Sequence, residues 1–599
     1  MAIPPCTSSP ITSGSASASC ICDGSRRHAR VSRSTLPRPA LARLAPALLG
    51  RAVWHGPGTV LGKVTHHSGA HPRFRRHRRL GIPSRTRRSV PVRACGQGRR
   101  SMARSFVLKG AFVYDHGGDT DAPAVADVFV RDGRIVSVGD PVPPGVHEVI
   151  DLSGHLLAPG FVNSHYHSHD VLAKGMFETM SLERWGMIAG PIGSDRSIEE
   201  VRLRTILGAV ECARNGITTV QDFLNLAPMD PAYVDAIVDA YATVGVRVIL
   251  SIAVRDKSQL DTILWADEMV PHEHHATVGT ATGDPARQLA FVEEQIARIG
   301  DRDGAVVWAL SPSAPQRCSF ELLRGVGDLA KAGGLPVYTH VYETRLQRLL
   351  GKERYTDHAG SLIALMDDAG LLGPHVTIAH GVWPDAEEIA RIADTGTGVV
   401  LNMLSNLKLR SGVAPLAAYR RAGIPLSLGC DNCSCADVQS MLQVMKLYCL
   451  LGGIGIVGPE RPEAAEAIRL ATLGGARAAG REGVLGAVAP GMAADLVAYD
   501  LDDPAWRPFN SAARQLVFAE TGRAIRHVWV AGRQVVRDGR CATYDESKLT
   551  RDLAAAMPMV RRDLDALASA ADVIEPAFQA IQSRAFSTEL GYDRYLPRF

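Results

Sequence analysis

The sequence lacks several features that would place a protein in a special class. No window approaches the roughly 18 uninterrupted apolar residues that a membrane span needs. Eleven cysteines among 599 residues follow no regular framework, which argues against a disulfide-stapled secreted protein. Apolar residues make up 46% of the chain and charged residues 21%, as in globular, non-membrane proteins. We therefore expect a reducing, cytoplasmic compartment.

Acidic residues are almost missing from residues 1–101, which hold 19 Lys and Arg but only one acid, Asp23. The other 498 residues hold 47 bases and 61 acids. Such a head, rich in Ser, Arg and Pro, is not expected to pack. It is interpreted as a start codon assigned upstream of Met102, as an organelle-targeting segment, or as a nucleic-acid-binding arm. No aromatic or Gly-spaced recognition motif supports the third interpretation, so we expect no nucleic-acid partner.

Short apolar runs separated by turn residues occupy residues 102–157 and return at 486–545. In the first segment they are Phe106 to Leu108, Phe112 to Tyr114, Val128 to Val130 and Ile135 to Val138. This texture predicts a small antiparallel sheet. We expect the two segments to form one discontinuous β-sandwich domain.

Between these segments, over residues 158–485, short apolar strands alternate with amphipathic stretches of helical length. Eight strand-like runs occur, the first before His165 and the last at Pro425 to Leu428. This alternation predicts an α/β fold built as a (β/α)8 TIM barrel. Residues 546–599 are predicted to form a helical tail of one or two helices.

Polar residues that could bind a metal follow several predicted strands, at the end where barrels of this type carry their active sites. His165 and His167 follow the first strand and project from the same face of an extended segment. The other strand ends carry His340, His380 and Asp431. Two neighbouring histidines with a third and a carboxylate suit Zn²⁺ or another borderline divalent ion.

The short sequence motifs around these residues resemble those of the amidohydrolase superfamily, in its cytosine deaminase and triazine hydrolase-like branch. They are PGFVNSHYH (159–167), THVYET (339–344), AHGVW (379–383), NMLSNLKLRSG (402–412) and LGCDNCS (428–434). The resemblance covers about residues 105 to 545.

The resemblance implies a residue-by-residue assignment. The metal ligands are His165, His167, His340 and Asp431. Glu343 is the proton shuttle, His380 orients the attacking water, and Asp431 accepts its proton. Binuclear relatives carry a carboxylated lysine at strand four, whereas Ala305 to Cys318 contains no lysine. We expect one divalent ion, Zn²⁺ in the first place and Fe²⁺ as the alternative.

The implied activity is hydrolytic removal of an amino group from a nitrogen heterocycle, by attack of a metal-bound hydroxide with release of ammonia or an amine. The substrate is a pyrimidine, purine, pterin or triazine. One alternative is hydrolysis of a cyclic amide or a carbon-halogen bond. A more remote one is a non-catalytic assembly protein. By the same resemblance the chain forms a homodimer.

Several residues near these words keep open roles. Ser313 stands where many purine-type deaminases of the branch have a histidine, which puts adenosine-like recognition in doubt. Candidate contacts to the substrate are His169, Gln316, Arg317 and Asn432. Cys430, Cys433 and Cys435 are assigned to packing or to a reactive thiol rather than to a metal cluster. The cluster His272-Glu273-His274-His275 is expected to be an exposed loop.

Overall fold

The structure, a computed structural model, describes residues 105–145, 147–279, 282–456, 458 and 460–595. Residues 1–101, and with them the three interpretations of the basic head, lie outside the described residues. In the described chain the strands are β1 (Ser105–Val113), β2 (Val125–Arg131), β3 (Arg134–Val138), β4 (Glu148–Asp151), β5 (His155–Pro159), β6 (Phe161–Tyr166), β7 (Ile217–Leu224), β8 (Arg247–Val254), β9 (Val306–Pro312), β10 (Val337–Val341), β11 (Val376–His380), β12 (Gly398–Leu401), β13 (Leu426–Leu428), β14 (Leu496–Asp500), β15 (Ile525–Val530), β16 (Arg533–Arg537) and β17 (Arg540–Cys541).

The helices of the same residues connect and cover these strands. They are α1 (Leu182–Ile192), α2 (Ile198–Arg214), α3 (Pro231–Val244), α4 (Gln259–Thr262), α5 (Ala266–Met269), α6 (His275–Val278), α7 (Pro285–Ile299), α8 (Phe320–Gly333), α9 (Arg345–Arg354), α10 (Leu362–Asp368), α11 (Ala386–Asp394), α12 (Met403–Lys408), α13 (Leu416–Arg421), α14 (Cys433–Ala436), α15 (Met441–Gly453), α16 (Ala464–Arg469), α17 (Gly475–Ala478), α18 (Ala512–Phe518) and α19 (Glu546–Ser587). Many begin at a side chain that accepts a backbone N–H, as Ser197 does from Glu200 (3.1 Å) and Ser319 from Leu322 (3.1 Å).

Strands β6 to β13 form one parallel sheet in chain order. At the seam between β13 and β6, the Asp431 N–H donates to the His165 carbonyl (2.8 Å) and the Cys430 N–H to the Asn163 side chain (3.0 Å). The result is a nearly closed eight-stranded barrel. The predicted TIM barrel is confirmed.

Alternate strand residues face opposite sides of the barrel wall. Val248 and Leu250 of β8 belong to the large apolar cluster that includes residues of the surrounding helices. Ile249 between them packs instead with Val307 and Tyr338 of neighbouring strands, in a separate buried cluster. Packed apolar side chains therefore occupy the inside of the barrel, and the candidate metal ligands lie at its carboxyl end.

The second sheet has nine strands and draws them from both sides of the barrel sequence, β1 to β5 before it and β14 to β17 after it. The two sets join where β14 pairs antiparallel with β5, with Leu496 opposite Pro159. Phe106, Leu108, Leu157 and Trp529 lie in the core of this sheet.

Two details of this sheet differ from the predictions. The runs at Phe106 and Phe112 belong to one strand, β1, interrupted by a bulge between Leu108 and Ala111. Gly110 lies in the bulge with φ of +74°, a conformation that glycine adopts without strain. The sheet is also mixed rather than antiparallel, because β1 pairs parallel with β4 and with β5.

The chain after the second sheet forms one 42-residue helix, α19. Its apolar face packs against α1, α5 and α9, with Leu564, Ile574, Phe578 and Ile581 fully or almost fully buried. Among the described residues, no helix combines the length and the apolar character that a bilayer crossing requires.

Candidate active site

Five polar side chains converge at the carboxyl ends of four barrel strands. His165 lies in β6 and His167 follows it, His340 lies in β10, and His380 ends β11. Asp431 follows β13 after Gly429 and Cys430. The nitrogen atoms of His165, His167 and His340 lie within 4.8 Å of one another, and so do the ligand atoms of His165, His380 and Asp431.

The distances between these atoms fit a single cation. The Nε2 atoms of His165 and His167 are 3.3 Å apart, and the Asp431 Oδ1 atom lies 3.5 Å and 3.4 Å from them. Two ligands about 2.0–2.1 Å from a tetrahedral zinc ion are separated by about 3.3–3.4 Å. The three atoms are therefore spaced like ligands around one ion.

The other nitrogen of each candidate ligand is held by an acceptor. Nδ1 of His167 donates to the carbonyl of Phe223 (2.8 Å), and Nδ1 of His340 donates to the carbonyl of Ser313 (2.7 Å). Nδ1 of His165 lies 3.3 Å from Oε1 of Gln221. These contacts place the ring proton on Nδ1 and leave the Nε2 lone pair for a metal, the usual arrangement around metal-binding histidines.

Burial and charge set the protonation states of the cluster. Burial lowers the pKa of His165 to about 3 and that of His340 well below its ordinary value. For His167, the hydrogen bond and charge of Asp431 outweigh burial and raise the pKa. Burial opposes ionisation of Asp431, but the neighbouring histidines hold its pKa well below the ordinary value. A cation here would replace the proton that His167 shares with Asp431.

His380 and Asp431 are both held in a strained backbone conformation. Their φ angles are +71° and +70°, values that few non-glycine residues adopt. His380 donates through Nδ1 to Oδ1 of Asn406 (2.8 Å). Its Nε2 atom faces Oε2 of Glu343 (3.5 Å) and Oδ2 of Asp431 (3.7 Å). The imidazole therefore lies between the two carboxyl groups.

Glu343 is a buried carboxyl group beside this cluster. Its Oε1 atom has no hydrogen-bond partner among the described residues, and its backbone N–H donates to the side chain of Gln347 (2.8 Å). Burial raises the pKa of Glu343 to about 7, against the opposing charge of His380. A carboxyl group that is partly protonated near neutral pH can donate a proton.

The loop that carries Asp431 is fixed by residues that the sequence analysis did not single out. The buried carboxylate of Asp170 accepts the backbone N–H groups of Cys433 (3.2 Å) and Ser434 (3.0 Å) at the start of α14. Gln439 donates to the carbonyl of Asp431 (3.0 Å). Asp170 directly follows the His-x-His-x-His motif. This position is the one signal in the sequence that could have indicated a role for Asp170 near the site.

A cleft with about 980 Å³ of empty space, its open mouth included, leads to this cluster. All four residues predicted to contact the substrate line it: His169, Gln316, Arg317 and Asn432. Glu183, Trp185, Asn225 and Arg255 line it too and were not predicted. Ser313 also lines the cleft, and its Oγ accepts a hydrogen bond from Arg317 (3.4 Å).

The cysteines around Asp431 and the histidine cluster at His272 do not line the cleft. Cys430, Cys433 and Cys435 are buried, and burial raises the pKa of each thiol, which favours packing over reactivity. The cluster at His272 is largely exposed, as predicted, but it forms a short 3-10 turn, His272–His274, that leads into α6 rather than an open loop.

Comparison with known proteins agrees with the barrel fold and with the cluster of histidines and Asp431. The amidohydrolase family matches residues 156–535. The chain belongs to this family. The resemblance seen in the sequence motifs is therefore confirmed.

Amidohydrolases named as deaminases are among the most similar relatives. A 5-methylthioadenosine/S-adenosylhomocysteine deaminase of Thermococcus onnurineus is 32% identical over 435 residues, 72% of this chain and 94% of the relative. A 5'-deoxyadenosine deaminase of Methanosarcina mazei is 28% identical over 448 residues, 75% of this chain and 96% of the relative.

Two solved structures share the fold. An adenosine deaminase from Xanthomonas campestris with bound zinc has a TM-score of 0.67 at 24% identity and covers 77% of this chain and 99% of its own. An atrazine chlorohydrolase from Arthrobacter aurescens TC1 complexed with zinc has a TM-score of 0.66 at 22% identity. The match covers 76% of this chain and 100% of the chlorohydrolase chain.

Proposed function

We propose that the protein is a metal-dependent hydrolase that deaminates an amino-substituted nitrogen heterocycle. The observation that carries the proposal is the buried carboxyl group of Glu343 beside His380 and Asp431, with a pKa raised to about 7. Removing an amino group from an amidine carbon requires a proton donor for the ring nitrogen. The deaminase names of the relatives support the same reaction.

His165, His167, His340 and Asp431 would hold one divalent ion, with Zn²⁺ first and Fe²⁺ as the alternative. When bound, such an ion supplies the Lewis acidity that makes water a nucleophile near neutral pH. The absence of lysine from Ala305 to Cys318 supports a single ion. The zinc in the two structural neighbours supports this choice of metal.

The chain's own residues then divide the proton transfers. Asp431 accepts a proton from the attacking water, and His380 orients that water through Nε2, since its Nδ1 is held by Asn406. Glu343 gives its proton to the ring nitrogen next to the attacked carbon. The water oxygen bonds to the ring carbon, and the carbon–nitrogen bond to the exocyclic amino group breaks. That group leaves as ammonia or an amine after gaining the proton that Asp431 took from the water.

The ring system is a purine, pyrimidine, pterin or triazine. The relatives' names favour a purine nucleoside, whereas Ser313 in the cleft differs from the histidine of many purine-type members. We also propose that the protein works as a homodimer in the cytoplasm. Sedimentation of the purified chain tests the dimer.

The experiment is ammonia release by the metal-loaded protein across a panel of amino-heterocycles from these four classes. We expect turnover of at least one class and its loss in Asp431→Ala. A panel on which wild-type protein releases no ammonia, while it hydrolyses a cyclic amide or a halogenated ring, would contradict deamination.

A further inference from the structure

Two arginine side chains lie in the wall of the cleft without an acidic partner. Arg255 directly follows β8, and Arg317 ends a 3-10 turn after β9. Both line the cleft that contains Glu343 and Asp431. Within the described part of the chain, no carboxylate oxygen lies within 4.0 Å of either guanidinium. Two cations therefore face a cleft whose purpose is to receive a ligand.

The backbone around both arginines is fixed. The Gln288 side chain accepts the N–H of Arg255 (2.9 Å) and donates to its carbonyl (2.9 Å). The N–H groups of Asp256 and Lys257 donate to the Arg317 carbonyl, each at 3.2 Å. The two loops are thus tied together, so the spacing of the two backbone positions is set before any ligand arrives, and less backbone freedom is lost on binding.

Glu343, the proposed proton donor, is the acid whose charge acts most on Arg317. The two other acids near the pair are engaged in hydrogen bonds. The carboxylate of Asp256 accepts the N–H of Ser319 (2.6 Å) at the start of α8. Glu183, across the cleft, accepts hydrogen bonds from Thr344 (3.0 Å) and Gln582 (3.4 Å).

The arginines also act on each other. After burial, the charge of Arg255 is the next cause that lowers the pKa of Arg317. The Arg317 side chain makes one long hydrogen bond, to Oγ of Ser313 (3.4 Å). Its other N–H groups have no hydrogen-bond partner among the residues that the structure describes, and an anion between the two guanidinium groups would relieve their repulsion.

We propose that Arg255 and Arg317 bind an oxyanion carried by a substituent of the substrate, so that the protein prefers anionic amino-heterocycles to neutral ones. The proposal rests on the proposed function, because it places the ring at Glu343 and His380 and the substituent toward the arginines. Arginine presents planar pairs of donors that match the oxygens of a carboxylate or a phosphate.

The test compares matched substrates that differ in one charged group. Pterin against pterin-6-carboxylate probes a carboxylate, and adenosine against adenosine 5'-monophosphate probes a phosphate. We expect the wild-type protein to favour the anionic member of one pair by about 10-fold or more in kcat/KM. That pair identifies the oxyanion. Arg255→Gln and Arg317→Gln should each lose about 10- to 100-fold in kcat/KM with the anionic member, mainly through KM, and clearly less with the neutral one.

Arg324→Gln is the matched control, because Arg324 is exposed on α8 and does not line the cleft. This variant should leave kcat/KM unchanged for both members of each substrate pair. Equal losses with neutral and anionic members in the cleft variants, or no anionic preference in the wild-type protein, would overturn the proposal.

Calorimetric binding to Glu343→Gln separates this inference from the proposed function. Tight binding of an anionic heterocycle that disappears in Glu343→Gln/Arg317→Gln supports the oxyanion site, even if no member of the panel releases ammonia. Ammonia release from wild-type protein, with binding that does not depend on Arg255 or Arg317, supports deamination and overturns the oxyanion site.

Discussion

Glu343 is the residue that distinguishes proton transfer from metal binding. It lies three residues after the candidate ligand His340, and its carboxyl oxygen is 3.5 Å from His380. Glu343→Gln keeps the shape of the side chain but removes its transferable proton. We expect kcat to fall by roughly 100- to 10,000-fold, the range of a lost general acid, with a much smaller change in KM. Steady-state kinetics with the best substrate of the panel measure both.

Metal content provides the control for that variant. Elemental analysis should find close to one divalent ion per chain in the wild-type protein and in Glu343→Gln, and almost none in His165→Ala. Loss of the metal from Glu343→Gln would make Glu343 a ligand. Activity close to wild type would exclude it as the proton donor.

The pH dependence of the reaction follows from the same carboxyl group. Its pKa is raised from 4.5 to about 7 because burial disfavours the ionised form. Below about pH 7 the proton is present and can be donated, and above it the group is ionised. We therefore expect kcat/KM to fall as the pH rises through about 7. In Glu343→Gln the residual activity should lack this falling limb, and a limb that persists there must come from another group.

Predictability at the residue scale depends on how far apart in the sequence the partners lie. His165 and His167 are two residues apart on one strand, so their shared face could be derived directly. Asp170 contacts Ser434, 264 residues away, and Gln221 contacts His165, 56 residues away. Their roles depend on which strands are neighbours, and the sequence alone does not specify the distances between them.

Among the elements, α19 contributes a separate apolar contact to the fold. Ile574 is fully buried against the apolar cluster shared with α1, whereas Val573 beside it is 57% exposed. Ile574→Ala removes buried methyl groups and leaves a cavity, so we expect it to lower the free energy of unfolding by about 2–5 kcal/mol. Val573→Ala, the matched control, should change it by no more than about 0.5 kcal/mol. Chemical denaturation measures both, and equal effects would mean that the helix face is wrongly assigned.

Element boundaries were less predictable than element types. The sequence of the tail predicted either one helix or two. The structure has one, because α19 continues through Pro558 and Pro576, where packing along its length holds its apolar face. In the second sheet, Gly110 suggests a turn in the sequence but forms a bulge within one strand. In both places tertiary packing overrides a local signal that normally ends an element.

At the scale of the whole molecule, the barrel determines where the site can be. Parallel strands bring their carboxyl ends to one side, so residues as distant as His165 and Asp431 meet there. This much could be predicted from alternating strands and helices. The contact between the barrel and the nine-stranded sheet could not, because no sequence pattern indicates which charged residues are buried there.

That contact contains a buried ion pair. Arg247, the first residue of β8, pairs with Asp495, which lies just before β14, and both are buried. The Asp495 carboxylate also accepts the N–H of Ala531 (2.8 Å), and Arg247 donates to the carbonyl of Gly304 (3.0 Å). The pair thus joins the amino end of the barrel to the second sheet, at the end opposite the candidate site.

Asp495→Asn should therefore destabilise the molecule without altering its chemistry. It leaves the guanidinium of Arg247 buried without a counter-charge, and breaking such a pair costs about 3–5 kcal/mol. The control is Asp502→Asn. The Asp502 side chain is 81% exposed and that of its partner Arg507 is 61% exposed, so the free energy of unfolding should change by no more than about 0.5 kcal/mol. Denaturation measures stability, and kcat and KM are measured well below the melting temperature, where both variants should match the wild-type protein. If Asp495→Asn unfolds like Asp502→Asn, the buried pair does not stabilise the joint. If instead its kcat falls while the protein remains folded, the amino end of the barrel is coupled to the site.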